Sequence, residues 1–183
     1  MSERFREPFL RRYYSAPGEF FRDLGWLLRR RRGIKRAMSG GLISKAFRER
    51  LMMVVTEVND CRYCRSFHVP QAAGSGVGEE EIQDILAGQV PAGAPVEEHA
   101  ALAYAQHWAE ENARPDSVYR RQVQERYGKE IFASVEIILR MIRVGNLTGN
   151  TLDFILDRIS GGRWGGGSPG KHTGRRLSRR AGQ

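Results

Sequence analysis

Apolar residues recur at intervals of three and four through most of the chain, which places them on one face of an α-helix. Stretches rich in glycine and proline separate these periodic segments. No segment shows the alternation of apolar and polar residues that is typical of a β-strand. The pattern therefore predicts an all-α, compact multi-helix fold, with helices at about residues 17–32, 42–58, 61–73, 78–87, 96–112, 115–127 and 130–160.

The length of 183 residues is that of one domain with room for a real core. Glycines at 40–41 and a run of glycine, arginine and serine after residue 160 mark two boundaries. We predict a basic N-terminal extension with an amphipathic helix at residues 1–39, a helical domain at 40–160, and a disordered basic tail at 161–183.

The formal net charge of +9 belongs to the two ends of the chain. Residues 1–50 carry +9 and residues 161–183 carry +6, whereas residues 51–160 carry −6. This distribution argues against a nucleic-acid-binding core and indicates solvated basic arms. We therefore expect no nucleic-acid partner.

The first predicted helix is amphipathic and has a basic end, Arg29 to Arg32, which suits a helix C-terminus before Gly33. Such a helix could lie on a membrane surface. We favour packing against the domain or a neighbouring subunit, because Glu19 and Asp23 dilute the charge and the apolar face is short. Its apolar positions are Phe20, Phe21, Leu24, Leu27 and Leu28.

The chain has two cysteines, spaced C-x-x-C. No N-terminal segment resembles a signal peptide, and no apolar run approaches the roughly 18 residues that a transmembrane helix needs. We expect a cytoplasmic protein on these grounds. In that reducing compartment a C-x-x-C pair is more often catalytic or metal-binding than structural.

On a helix, Cys61, Cys64 and His68 lie three and four residues apart and share one face. Asn59-Asp60 are good N-cap residues, which would place both cysteines in the first turn. Backbone N–H groups and the helix dipole favour an anion there. A reactive thiolate is therefore expected, with Arg62 and Arg65 adding positive charge nearby.

Two carboxylates precede the cysteine pair on the helix before it. Glu49 and Glu57 fall on one face of that helix, and Glu49 can look toward the cysteine-bearing helix. Glu49 is the stronger candidate for proton transfer. Glu57 has an alternative interpretation as a surface partner of Arg62 or Arg50.

Glycine and asparagine recur together at a spacing of four, as Gly145-Asn146 and Gly149-Asn150. Both residue types form helices poorly, so their place inside a predicted helix needs a reason. We expect close helix–helix approach at the glycines, with the amides bonding across the contact. A polar site lined by those amides is the alternative.

Glu49, twelve residues before Cys61, followed by Cys64 and His68, resembles the signature of the alkyl hydroperoxidase D / carboxymuconolactone decarboxylase-like family. The acidic helix start at Glu79-Glu80-Glu81 and the Gly-Asn repeat are similar to bacterial members as well. The resemblance covers about residues 40–160.

This resemblance implies an all-helical subunit that assembles as a homo-oligomer, a trimer or hexamer, and reduces peroxides without a cofactor or metal. A dithiol reductant protein or a lipoyl-type reductant would restore the thiols. The implied catalytic residues are Glu49, Cys61, Cys64 and His68. Tyr63 stands where the best-known hydroperoxidases have histidine, which removes a proton-transfer group of the family. The decarboxylases proper lack the cysteine pair, so decarboxylation of a small lactone is the alternative activity.

The expected mechanism begins with attack of the Cys64 thiolate on the peroxide, giving a sulfenic acid. Cys61 then closes a disulfide, and the external dithiol reopens it. His68 and Glu49 form the proton relay. The sequence leaves open which cysteine attacks.

Two other classes of function remain. The two cysteines and His68 could bind Zn²⁺ with Glu49 or Asp60 as a fourth ligand, although a second Cys/His pair is absent from the sequence. A non-enzymatic helical oligomer whose basic arms bind anionic membrane or nucleic acid is the third possibility. That interpretation leaves the register of Glu49, Cys61, Cys64 and His68 unexplained.

Overall fold

The computed structural model describes residues 9–165. These residues form seven α-helices and no strand, which confirms the predicted all-α class. Every helix in this range is too short or too polar to cross a lipid bilayer. The helices are α1 (Pro17–Leu28), α2 (Arg31–Met38), α3 (Lys45–Asn59), α4 (Arg62–Ala73), α5 (Glu79–Leu86), α6 (Val96–Glu110) and α7 (Ser117–Ser160).

Helix α3 lies at the centre of the domain and packs against α4, α5, α6 and α7. Ser44 caps its N-terminus by accepting a hydrogen bond from the N–H of Phe47 at 3.1 Å. Leu51 and Val55 are fully buried, and all residues from 47 to 56 are buried with them. A helix buried on all sides brings its charged residues into the core, where they need partners.

The buried guanidinium of Arg50 on α3 is paired with two carboxylates from different helices. Its guanidinium donates to Glu81 of α5 at 2.7 Å and to Glu98 of α6 at 3.1 Å. Burial raises the pKa of Glu98, and the positive charge of Arg50 opposes that shift. This network ties α5 and α6 to the central helix.

The structure has two helices, α1 and α2, where the sequence predicted a single helix with a basic C-terminus at Arg29 to Arg32. That prediction is wrong. The chain leaves helical geometry at Arg30 (φ −112°, ψ 22°), so Arg31 and Arg32 begin α2 and Gly33 lies inside it. A Cβ on Gly33 would lie 2.7 Å from Cδ1 of Ile137 on α7. The glycine lets α2 approach α7 closely rather than ending a helix.

The inner face of α1 packs against α7 through a buried carboxylate. Asp23 accepts hydrogen bonds from Arg140 at 2.6 Å, from Arg143 at 3.0 Å and from the Tyr14 hydroxyl at 3.1 Å. The two arginines hold the pKa of Asp23 below its usual value, against the effect of burial. The favoured interpretation of this helix, packing on the domain, is confirmed for its inner face.

Gly128 interrupts α7 with φ 74° and ψ 166°, a conformation that side chains disfavour. The break predicted after Tyr127 is thus confirmed, and the long segment after it runs to Ser160. Of the predicted disordered tail, residues 166–183 lie outside the described residues. Within 161–165, the carbonyl of Gly165 accepts a hydrogen bond from the buried guanidinium of Arg11.

Candidate active site

The two cysteines meet at the N-terminus of α4. Cys61 is fully buried, Cys64 is partly exposed, and both are free thiols. Their Sγ atoms are 2.9 Å apart and share a hydrogen bond. The Sγ of Cys61 also accepts the backbone N–H of Cys64 at 3.4 Å. The pair can therefore share one proton and can close a disulfide with little movement.

Cys61 is itself the N-cap of α4, so the prediction that Asn59-Asp60 cap this helix is wrong. Asn59 is the last residue of α3, and Asp60 adopts a left-handed conformation at φ 52° that ends α3. Aspartate tolerates this conformation better than most residues. The chain re-enters helical geometry only at Arg62, which leaves the sulfur of Cys61 in the capping position.

The capping position favours a thiolate on Cys61. The pKa of Cys61 is lowered to about 6, chiefly by a hydrogen bond from the Cys64 thiol, although burial opposes the shift. The backbone N–H groups of Cys64 and Tyr63 donate further hydrogen bonds that act in the same direction. The pKa of Cys64 is raised, because its thiol donates to Cys61 and because ionising it would place a second negative charge alongside. The pair therefore carries one negative charge near neutral pH.

The two arginines beside the cysteines are paired with carboxylates. Arg62 donates to Asp153 of α7 at 2.7 Å, and Arg65 donates to Glu57 at 2.9 Å and to Asp60 at 3.0 Å. The partner of Glu57 is thus Arg65 rather than Arg62 or Arg50. Both guanidinium groups are held in ion pairs, with Asp153 shared between Arg62 and Arg11. Hydrogen bonding at the helix N-terminus therefore stabilises the thiolate more than arginine charge does.

Glu49 and His68 form a second buried pair. Oε2 of Glu49 lies 2.8 Å from Nδ1 of His68, and the two residues are 5% and 9% exposed. An ionised carboxylate only accepts, so Nδ1 carries the proton and Nε2 is left to exchange one. His68 follows Cys64 by one turn of α4, while among the described residues no hydrogen bond joins this pair to either thiol.

A buried asparagine contributes to the site, which agrees with the alternative of a polar site lined by the amides of the Gly-Asn repeat. Asn146 of α7 is held from both sides of its amide, with its oxygen accepting from Asn59 at 3.2 Å and its nitrogen donating to Thr56 at 3.1 Å. Asn150 donates to the carbonyl of Asn59 at 2.7 Å. The expected amide bonding between helices is thus confirmed. Hydrogen bonding from Asn146 also lowers the pKa of Cys61 and acts on Cys64 in the same direction.

The glycines of the same repeat give the sulfurs space against α7. A Cβ on Gly145 would lie 4.0 Å from the Sγ of Cys64, which is ordinary contact. A Cβ on Gly149 would lie 3.2 Å from the Sγ of Cys61 and 3.3 Å from the ring of Tyr63, which is too close without adjustment. The signal for this role was the repeat itself, two Gly-Asn pairs one helical turn apart.

Replacing Gly149 with valine should destabilise the domain by about 1–3 kcal/mol, the usual cost of overpacking a core. It should also displace the sulfur of Cys61 and raise the pKa at which the thiols ionise. Urea unfolding and thiolate absorbance against pH measure the two effects.

Gly145→Ala is the matched control, because its added methyl meets Cys64 at ordinary contact distance. We expect it to be neutral or to stabilise by up to about 1 kcal/mol, as alanine favours a helix over glycine. Equal effects of Gly149→Val and Gly145→Ala would contradict the tight contact at Gly149.

The residues considered as zinc ligands are not grouped into a metal site in the part of the chain that the structure describes. Within residues 9–165, no three His, Cys, Asp or Glu side chains are grouped so that they could hold a metal ion. The two cysteines are directed at each other, and His68 is bonded to Glu49.

Comparison with known families matches residues 23–107 to the carboxymuconolactone decarboxylase family. This segment holds Glu49, Cys61, Cys64 and His68, and it runs from within α1 to within α6. Comparisons with curated proteins and with solved structures found no match.

Proposed function

Residues 23–107 of this chain match the model of the carboxymuconolactone decarboxylase family, and from that premise we propose that the chain is a thiol-dependent reductase of organic hydroperoxides. The observation that carries the proposal is the contact of the two Sγ atoms, 2.9 Å apart at a helix N-terminus. A dithiol in this position is poised for oxidation to a disulfide. The decarboxylase alternative would leave the paired thiols without a role.

In the first step, Cys64 is the sulfur that attacks, because it is partly exposed whereas Cys61 is fully buried. The proton of Cys64 passes to the thiolate of Cys61 along their hydrogen bond. The Cys64 thiolate then bonds to the terminal peroxide oxygen, and the O–O bond breaks. Cys64 becomes a sulfenic acid and the alkoxide leaves.

In the second step, Cys61 attacks the sulfenic sulfur of Cys64. A disulfide forms and hydroxide leaves, taking a proton to become water. Across the two steps, two thiols and one hydroperoxide give one disulfide, one alcohol and one water. A dithiol reductant, either a protein or a lipoyl-type group, then reopens the disulfide by exchange.

The Glu49–His68 pair supplies protons to the leaving groups. Glu49 accepts from Nδ1 and so stabilises a positive charge on the ring, which lets Nε2 donate to the departing alkoxide. Burial of the pair strengthens this interaction and keeps the ring in one orientation. The carboxylate thus acts through His68 rather than on the sulfurs directly.

Aromatic residues on the outer side of α4 suit an organic substrate. Tyr63 is 44% exposed and Phe67 is 62% exposed, and the ring of Phe67 lies edge-on to His68 with centroids 5.1 Å apart. An alkyl group can pack on these rings while its peroxide end reaches Cys64.

Proteins of this family are often oligomeric, and one face of α7 supports a homo-oligomer here. Leu152, Ile155 and Ile159 follow one another at helical spacing and are 52%, 46% and 76% exposed. A second copy of the chain that covered this stripe would remove apolar surface from water. A trimer or hexamer is the proposed assembly.

The decisive experiment counts thiols before and after one equivalent of an alkyl hydroperoxide. We expect both thiols to be lost per peroxide and both to return with a dithiol reductant. A Cys61→Ser/Cys64→Ser double variant is the control for other oxidisable groups. Retention of both thiols after peroxide addition would refute the proposed function.

The rate of this oxidation should depend on pH as the ionisation of Cys61 does. Because the pKa of Cys61 is lowered to about 6, the thiolate is present above pH 6 and is lost as the pH falls through that value. The rate should therefore rise up to about pH 6 and change little above it. A rate that keeps rising to about pH 8.5 would indicate an ordinary thiol.

A further inference from the structure

The junction of α1 and α2 carries a dense positive charge. Residues 29–36 contain six cationic side chains and no carboxylate, and all six are exposed. We call this group the basic elbow. It consists of Arg29, Arg30, Arg31, Arg32, Lys35 and Arg36.

The basic elbow is nearly free of internal partners. Within the described part of the chain, Arg36 alone among the six has a carboxylate partner, Glu130 at 3.5 Å. Both side chains of that pair are more than 60% exposed, so water and salt screen the interaction. Arg30 stacks over the ring of Trp26 at 3.9 Å, which leaves its charge in place. The charge of the elbow is therefore available to an external anion.

The outer face of α1 places large apolar side chains beside this charge. Phe21 and Leu28 are 65% and 60% exposed and lie seven residues apart, two turns along one face. Arg22 and Arg29 form the neighbouring row on the same exposed side. The inner face, with buried Asp23, is already occupied by α7, and among residues 9–165 no element covers the outer face at Phe21 and Leu28.

We propose that the basic elbow, with Phe21 and Leu28, is a peripheral binding surface for a membrane of anionic phospholipids. Cations attract the headgroups, and apolar side chains enter the boundary between headgroups and acyl chains. Charge attraction alone or apolar insertion alone gives only weak membrane binding, whereas the two together hold a protein at the membrane. Contacts with the phosphates of a nucleic acid would use the arginines but would leave the exposed side chain of Leu28 in water.

The carboxylates that argued against a membrane in the sequence do not face this surface. Asp23 is 3% exposed and is bonded to Arg140 and Arg143 of α7. Glu19 accepts hydrogen bonds from Ser15 at the other end of α1, about 15 Å along the helix from the elbow. The folded chain therefore presents a more uniformly positive face than the linear sequence indicates.

Co-sedimentation of the full chain with lipid vesicles tests the proposal. We expect binding to vesicles of phosphatidylcholine with phosphatidylglycerol, weaker binding at high salt, and little binding to phosphatidylcholine alone. The triple variant Arg31→Gln, Arg32→Gln, Lys35→Gln should lose about a hundredfold in vesicle affinity. Absence of binding to anionic vesicles would overturn the proposal.

A second triple variant controls for net charge. Arg121→Gln, Arg126→Gln, Lys129→Gln removes the same charge from exposed positions on α7, where Glu125 and Glu130 are interspersed. This variant should keep most of its vesicle affinity. Equal loss in both triple variants would show a general charge effect and would contradict a specific surface.

The apolar contribution separates a membrane from the other possible partners. Phe21→Ser/Leu28→Ser should weaken vesicle binding by at least tenfold, while Val96→Ser/Val118→Ser, also at exposed positions, should not. A DNA duplex is the competing probe. If the wild type prefers the duplex and loss of Phe21 and Leu28 has no effect, the elbow binds nucleic acid and the proposal is wrong. If the Phe21/Leu28 variant only changes the oligomeric state, this face is a subunit interface and the proposal is equally wrong.

Discussion

Replacing Glu49 with glutamine is expected to lower peroxide turnover by about 10²–10⁴-fold while the helical fold persists. Glutamine has the same size and can still accept the Nδ1–H of His68, now 2.8 Å from Oε2 of Glu49. It carries no negative charge, so it does not stabilise the protonated ring that donates to the leaving alkoxide. Peroxide consumption under steady-state conditions, with circular dichroism as the folding check, measures the effect.

Glu57→Gln is the matched control for this prediction. Glu57 lies two turns after Glu49 on α3 and pairs with Arg65 at 2.9 Å, at a position that is partly open to solvent. Its loss should cost about 1 kcal/mol or less in stability and leave turnover close to that of the wild type. If Glu49→Gln keeps full activity and Glu57→Gln does not, the wrong carboxylate has been assigned.

Single cysteine variants should separate the formation of the sulfenic acid from the formation of the disulfide. Among the variants proposed here, they should have the largest effect on turnover. Both Cys61→Ser and Cys64→Ser should abolish turnover, because the disulfide needs two sulfurs. Cys61→Ser should still form a sulfenic acid on the partly exposed Cys64, more slowly because the neighbouring thiolate that accepts its proton is gone. Cys64→Ser should form none, because Cys61 is fully buried.

A dimedone-type reagent traps sulfenic acid. The mass of each single variant after this treatment shows whether its remaining cysteine was oxidised. The double variant sets the background. Labelling of Cys64→Ser and not of Cys61→Ser would reverse the two roles. Equal labelling of both would show that exposure does not decide which sulfur attacks.

Much of the local structure followed from periodicity alone. The spacing of apolar residues predicted helices close to those observed, and Gly128 interrupts α7 where glycine was expected to end a helix. Glu49 lies against His68, as the face shared along its helix suggested. The helices and the break at Gly128 depend on neighbours within about one helical turn, which the 3.6-residue repeat reveals in a linear sequence. The contact of Glu49 with His68 joins residues 19 apart, so it also required the packing of α4 on α3.

The N-cap of α4 was harder to predict from the sequence, although helix capping also depends on local residues. Asn59 and Asp60 are good N-cap types, yet Asp60 adopts φ 52° and ends α3, which leaves Cys61 to cap α4. The same residue types serve the end of one helix and the start of the next, so composition alone does not divide a short junction between them.

By itself, the sequence determined the helical class, the C-x-x-C pair with His68 one turn after Cys64, and the excess positive charge of the N-terminal region. Tertiary structure decided where each charge is balanced and which face remains open. Asn146 reaches the thiols from a helix more than 80 residues away, and Asp23 turns its charge inward to α7. Contacts between helices depend on how whole surfaces pack, and that packing lies beyond the reach of a local repeat.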